Sequence, residues 1–144
     1  MRAPRHILET ALYADDLDAA ERFYGDLLGL EKVTRAGERH VFFRCGEGML
    51  LIFNASEAVK PPSNPAMPVP VHGTRGAGHT CFAATAREIE ERAQALRACG
   101  VEIEADFSWP GGGRSIYIRD PAGNSIEFAE PLIWGIGTET EERA

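Results

Sequence analysis

Glu9, His79, Tyr117, Arg119 and Glu127 occupy alternate positions within short runs that read as β-strands. Two carboxylates and an imidazole drawn from three strands can coordinate a divalent cation and leave positions open for a substrate. Carboxylate oxygen and imidazole nitrogen are hard or borderline donors. They suit Mn²⁺, Fe²⁺, Ni²⁺ or Zn²⁺ better than Cu⁺. A plainer reading stands beside that one. A strand glutamate commonly faces solvent or pairs with an arginine, and Arg44, Arg114 and Arg119 are at hand. His79 taken alone reads as a hydrogen-bonded structural histidine more readily than as a ligand.

The elements that must hold these side chains repeat along the chain. Residues 7–14 read as a strand, and Asp15-Asp16 supplies N-cap chemistry for a helix whose apolar face is Leu17, Ala20, Tyr24, Leu27 and Leu28. Gly29 ends that helix, and strand-like runs follow at 31–34, 40–44 and 49–53, separated by glycine-containing turns. Between 54 and 78, Pro61, Pro62, Pro65, Pro68 and Pro70 break any regular element. A connector of that length is usually functional.

The pattern then restarts. A strand at 79–83 leads to the capping box Thr85-Ala-Arg-Glu88 and a helix burying Ile89, Ala93 and Leu96, which Gly100 ends. Strands follow at 102–107, 114–119 and 125–129, the last two joined by Asp120-Pro-Ala-Gly123, which has turn chemistry. Glu9 stands as far before Asp16 as His79 stands before Ala86, so the two halves overlay. The expectation is an α+β fold in one domain: βαβββ modules at 7–54 and 79–131, a proline-rich connector at 55–78 and a tail at 132–144. Strand parity puts Leu8, Leu12, Phe82, Ile116, Ile118, Ile126 and Phe128 under the helices and the five polar residues above on the opposite face. That polar face is expected to line a cleft between the two copies.

Bulk properties narrow the partner. Hydrophobic residues make up 44% and charged residues 26% of 144 residues, ordinary globular values. A net charge of −7 with no basic run disfavours nucleic acid, whose phosphates need lysine and arginine. No apolar run approaches the roughly 18 residues of a membrane helix, and no signal-peptide core follows the charged start Met1-Arg-Ala-Pro-Arg5. The expected setting is therefore the cytoplasm, with a small-molecule partner and no membrane. Cys45, Cys81 and Cys99 have no paired spacing, which argues against a disulfide framework or a cysteine zinc site.

The run from Glu9 to Leu30 (ETALYADDLDAAERFYGDLLGL) resembles the opening of the vicinal oxygen chelate superfamily. Gly76-Ala-Gly-His79-Thr-Cys-Phe82 is similar to its second-half opening, and Tyr117-Ile-Arg-Asp-Pro-Ala-Gly-Asn-Ser-Ile-Glu127-Phe to its closing motif. That superfamily includes glyoxalase I, extradiol dioxygenases and bleomycin-resistance proteins. The resemblance runs from about Ile7 to Pro131. It implies paired βαβββ modules in a U-shaped, partly open mixed sheet around a metal cleft, with helices on the outer face, commonly in a homodimer. It also implies Glu9, His79 and Glu127 as metal ligands. Glu9 stands where many members have histidine, and Leu51 (or its neighbour Ile52) stands where four-ligand members have glutamate.

Two functions follow from this reading. In the first, a divalent ion on Glu9, His79 and Glu127 binds two neighbouring substrate oxygens and stabilises a developing oxyanion, as in a lyase, isomerase or dioxygenase. Glu9 or Glu127 serves as general base, and Tyr117 donates a hydrogen bond. Arg119, Trp109 and His72 are further candidates for substrate contact. Residues 107–114, with three glycines, read as a lid carrying Trp109 over an apolar substrate group. They are not a phosphate loop, because no Lys-Ser/Thr follows. The second function is metal-free sequestration of an antibiotic or metabolite, with the two glutamates as recognition groups.

Overall fold

The computed structural model describes residues 1–137. It falls into two compact units: Met1–Gly78 together with Asp120–Asn124, and His79–Arg119 together with the residues from Ser125 on.

The first unit is built on four strands, β1 (Glu9–Tyr13), β2 (Glu31–Ala36), β3 (His40–Cys45) and β4 (Gly48–Phe53). Their order is β1-β4-β3-β2, with β1 parallel to β4 and the other pairs antiparallel. Asp16 caps α1 (Leu17–Glu21), its carboxylate accepting from the Ala19 N–H. The helix continues as a π-helical turn, Arg22–Leu27, in which the Leu28 N–H donates to the Phe23 carbonyl. The wider turn brings Phe23 inward beside Tyr24 and leaves Leu27 and Leu28 only half-buried, where a regular period places both leucines on the core face. Leu17, Ala20 and Tyr24 pack with Leu12, Val41, Phe43, Leu50 and Ile52, all at most 3% exposed.

Two local features differ from the expected organisation. The start of the connector is helical: Asn54 accepts from the Ser56 N–H and caps α2 (Ala55–Ala58). The helix-breaking prolines begin only at Pro61, beyond its end. The turn at Asp120–Asn124 also belongs to this unit. Asp120 is 3% exposed; one of its carboxylate oxygens accepts from the Ala122 and Asn124 N–H groups, the other from the Tyr24 hydroxyl at 2.7 Å and the Asn124 amide at 2.8 Å. Asn124 in turn donates to the Tyr13 carbonyl and accepts from the Gly78 N–H. A Cβ at Gly78 would come within 2.9 Å of Leu12 Cδ2 and 3.2 Å of Asn124 Oδ1, so a larger residue there would have to displace one of those side chains.

The second unit repeats the topology with β5 (His79–Ala83), β6 (Ala105–Ser108), β7 (Arg114–Arg119) and β8 (Ser125–Ala129), in the order β5-β8-β7-β6. The expected strand at 102–107 is found three residues later, because pairing with β7 begins only at Ala105 opposite Tyr117. Its helix α3 (Ala86–Ala98) opens on the complete Thr85/Glu88 capping box. Ile89, Ala93 and Leu96 pack in a core with Ile116, Ile118, Ile126 and Phe128, all at most 3% exposed. The Arg92 guanidinium lies 4.5 Å from the centre of the Phe128 ring. Arg114 grips Asp106 through two donors and Glu90 through a third, holding that carboxylate pair below the usual range.

Candidate functional site

Register places the candidate residues on defined rows. In the second unit Cys81, Glu127 and Tyr117 are Cα partners across β5, β8 and β7, while His79, Ser125 and Arg119 form the next row. Partners in adjacent strands share a face, so His79, Glu127, Tyr117 and Arg119 all project from the side opposite α3, as parity requires.

Glu127 is the chemical centre of this face. Only 5% of the residue is exposed; no donor meets its Oε1 with good hydrogen-bond geometry, although the Tyr117 hydroxyl and the Cys81 thiol lie beside the carboxylate and interact with it. A buried carboxylate oxygen met so poorly is costly and points to a group that completes it. Its Oε2 lies 3.3 Å from His79 Nε2. His79 Nδ1 is 3.1 Å from the Ser125 carbonyl, which can only accept, so Nδ1 carries the proton. In the neutral ring Nε2 then presents its lone pair toward Glu127. Two lone-pair atoms at this separation call for a proton or a cation between them. Ligands held at about 2.0–2.2 Å from one metal ion stand about 3 Å apart, so the pair fits a divalent cation, with the Nδ1 contact setting the ring orientation.

The surroundings are polar groups on an aromatic wall. The Tyr117 phenol is pushed up to about 12, first by burial and then by the Glu127 carboxylate. The Cys81 thiol is pushed up to about 12 by the same causes in the same order. Both are protonated donors near neutral pH. The Tyr117 ring lies nearly parallel to Phe107, centroids 6.0 Å apart, and 6.3 Å from the His79 ring.

Arg119 is at the end of the face, where two of its guanidinium nitrogens grip Glu104 at 2.5 and 2.9 Å. Trp109 does not hang on a hinge. Its indole N–H donates to Ser115 Oγ at 2.8 Å, and its backbone N–H and carbonyl bond to Gly113 and Gly112. Gly112 and Gly113 have φ of +96° and +86°, so the glycines serve a closed turn. Neither Phe107 nor Ser115 stands out in the sequence. The signal that finds them is pairing, because Phe107 and Ser115 are Cα partners across β6 and β7.

The remaining candidates lie in the first unit. Glu9 opens β1, exposed, in a row with Met49 and Arg44. Leu51 is the Cα partner of Ala11 and Phe42, the position matching Glu127, whereas Ile52 faces α1. His72 accepts at Nδ1 from, or donates to, the Tyr13 hydroxyl at 2.6 Å and sets its edge on Phe53, with centroids 4.5 Å apart. A concavity of about 160 Å³ bounded by Tyr13, Asp15, Ala55 and Arg75 also lies here, its guanidinium held by Asp15 and Ser56. Among the described residues no three His, Cys, Asp or Glu side chains are gathered as a metal site. The structure therefore brings together two of the three expected ligands, His79 and Glu127.

Comparison with known proteins agrees with this architecture. The sequence pattern of the Glyoxalase/Bleomycin resistance protein/Dioxygenase superfamily matches residues 6–128. The crystal structure of a lactoylglutathione lyase from Agrobacterium tumefaciens is 47% identical, with a TM-score of 0.88 over 93% of this chain and 99% of that one. A glyoxalase/bleomycin resistance protein/dioxygenase from Nocardioides is 22% identical, with a TM-score of 0.69 over 90% of this chain and 85% of that one. A glyoxalase/dioxygenase from Nostoc punctiforme is 23% identical, with a TM-score of 0.64 over 90% and 94%. The last two share the fold.

Proposed function

The chain belongs to the Glyoxalase/Bleomycin resistance protein/Dioxygenase superfamily, and from that membership we propose a divalent-metal-dependent enzyme acting on a small substrate with adjacent oxygens. The observation that carries the reading is the 3.3 Å approach of His79 Nε2 to Glu127 Oε2, beside a buried Oε1 that no donor meets with good geometry. The likeness to a lactoylglutathione lyase at 47% identity supports a lyase of that type, with a thiol adduct of a 2-oxoaldehyde as substrate.

In this reading His79 and Glu127 would hold the ion, and Glu9 would be its third ligand. When bound, the metal supplies Lewis-acid stabilisation of negative charge on two neighbouring oxygens. Glu9 or Glu127 takes the proton from the carbon bearing hydroxyl and sulfur and returns it to the neighbouring carbonyl carbon. The hydroxyl proton of the first carbon passes to the oxygen of the second, so the first becomes a thioester carbonyl and the second a hydroxyl-bearing carbon, with no external oxidant. Tyr117 donates its phenolic hydrogen to a substrate oxygen, and Arg119 shares its guanidinium between Glu104 and the substrate. No described helix is long and apolar enough to cross a membrane. The reading includes a homodimer, checked by light scattering.

The test is elemental analysis of protein purified without chelator, with turnover of the methylglyoxal–glutathione adduct followed alongside. Near-stoichiometric metal and turnover, both lost in Glu127→Gln, are expected. Absence of metal, and no uptake of Mn²⁺, Fe²⁺, Ni²⁺ or Zn²⁺, would contradict the reading and leave metal-free sequestration as the function.

A further inference from the structure

Phe107 follows Ala105 by two positions in β6 and so rises on the face that carries Glu127. Trp109, just past the end of that strand, is tied to the same face by its bond to Ser115, the Cα partner of Phe107. Their rings are 5.0 Å apart, and Phe107 continues onto Tyr117 at 6.0 Å with an interplanar angle of 3°. The three rings form one wall beside the His79–Glu127 pair. Phe107 is 40% and Trp109 39% exposed, so apolar ring surface is left facing solvent at the site. Trp109 would ordinarily be free to turn at the end of a hairpin. It is held by a hydrogen bond to Ser115, a hydroxyl on a fully buried residue of the central strand β7. A side chain fixed at that cost, while its ring stays uncovered, is preorganised to receive something flat.

We propose that this wall selects substrates whose reacting oxygens carry a planar apolar or aryl substituent, and that Ser115 is the positioning residue that keeps Trp109 in place. The inference rests on the proposed metal site at His79 and Glu127. The substituent stacks offset on Phe107 and Trp109 while the adjacent oxygens reach the Glu127 side of the face. Binding strength then tracks the flat area covered, with no charge needed on that part of the substrate.

The experiment compares benzohydroxamate with acetohydroxamate, two ligands with the same adjacent oxygens and an aryl or a methyl group. Affinities are measured by calorimetry on Zn²⁺-loaded protein. Trp109 and Trp134 are the chain's two tryptophans, so a Trp134→Phe background makes emission report on Trp109 alone. The native protein should prefer the aryl ligand by about tenfold or more, the effect of covering one ring. In the Trp134→Phe background that ligand should quench the emission. Trp109→Ala should bring the preference to within about threefold. Ser115→Ala should lower it and shift free-protein emission to the red, and Ser115→Thr should restore both. An unchanged preference in Trp109→Ala, or an unchanged emission in Ser115→Ala, would overturn the inference while the metal site stands. Failure of both hydroxamates to bind native protein, with equal zinc uptake by Glu127→Gln, would overturn the metal reading and this inference with it.

Discussion

The two sheets share strand order, and the rows across β1, β4 and β3 match those across β5, β8 and β7. Glu9, Met49 and Arg44 in the first correspond to His79, Ser125 and Arg119 in the second. Ala11, Leu51 and Phe42 correspond to Cys81, Glu127 and Tyr117. Even the rim repeats: Arg44 pairs with Glu31 as Arg119 pairs with Glu104. The linings are opposite in character. The first face is filled by Leu51, Phe53, Phe42, Tyr13 and Met49, with His40 stacked on Phe42 at 4.0 Å. The second exposes an aromatic wall around a buried carboxylate and an imidazole. One backbone thus carries an apolar cluster in one copy and a polar, carboxylate-bearing face in the other, and the central difference is Leu51 against Glu127. A leucine there completes an apolar cluster; a glutamate there leaves an oxygen that needs a partner.

The largest expected effect comes from forcing the first face to resemble the second. Leu51→Glu buries a carboxylate among Phe53, Phe42 and Tyr13 without a cation to meet it, and should cost about 3–5 kcal/mol near neutral pH. The new carboxyl is raised in the folded state, so the electrostatic part of the loss should shrink as pH falls from neutral toward about 4.3, the unfolded value, and be gone below it. Urea unfolding at several pH values measures both. A change under about 1 kcal/mol would mean the first face is polar and open after all.

A smaller effect separates the scaffold from the lining. Burial, with the Asp120 carboxylate beside it, raises the Tyr24 hydroxyl far above the tyrosine range. Tyr24→Phe should cost about 1–3 kcal/mol by removing that donor from Asp120. The tyrosine's contribution is complete below about pH 10, the unfolded value, and declines as pH rises beyond it, because only the unfolded chain then ionises. Native protein should lose stability above that pH more steeply than the variant in alkaline unfolding curves. Parallel curves would detach Tyr24 from that role.

The smallest effect lies at the shared rim. Arg44→Ala and Arg119→Ala both remove exposed pairs, and neither should move the unfolding midpoint measurably. Only Arg119→Ala should raise KM, since only the second rim adjoins the site. Equal kinetics in the two variants would erase that distinction.

Much of this was legible in the residues. Alternation assigned the faces of β5, β7 and β8 and the buried side of Leu12 in β1, and capping chemistry located the starts of α1 and α3. Leu8, expected under the helices, instead precedes β1 and is 71% exposed, because the pairing of β1 with β4 begins only at Glu9. Where alternation was missing, the reading stopped short: Met49 to Phe53 is a continuous apolar run, so Leu51 and Ile52 could not be told apart until Ala11 and Phe42 fixed the register. The π-turn that buries Phe23 has no local signature. Asp120 read as a turn residue because its partner Tyr24 is remote in sequence. The Trp109–Ser115 bond was hidden for a similar reason, since it exists only once β6 and β7 pair.

The second face, through His79 and Glu127, is the proposed place where a divalent ion binds. The direct measurement is a calorimetric titration of apo protein with Zn²⁺, in native form and as Glu127→Gln and Leu51→Ala. Native protein and Leu51→Ala should bind one ion per chain with similar affinity, and Glu127→Gln should bind at least about 100-fold more weakly. Unaltered zinc affinity in Glu127→Gln, or its loss in Leu51→Ala alone, would contradict the claim.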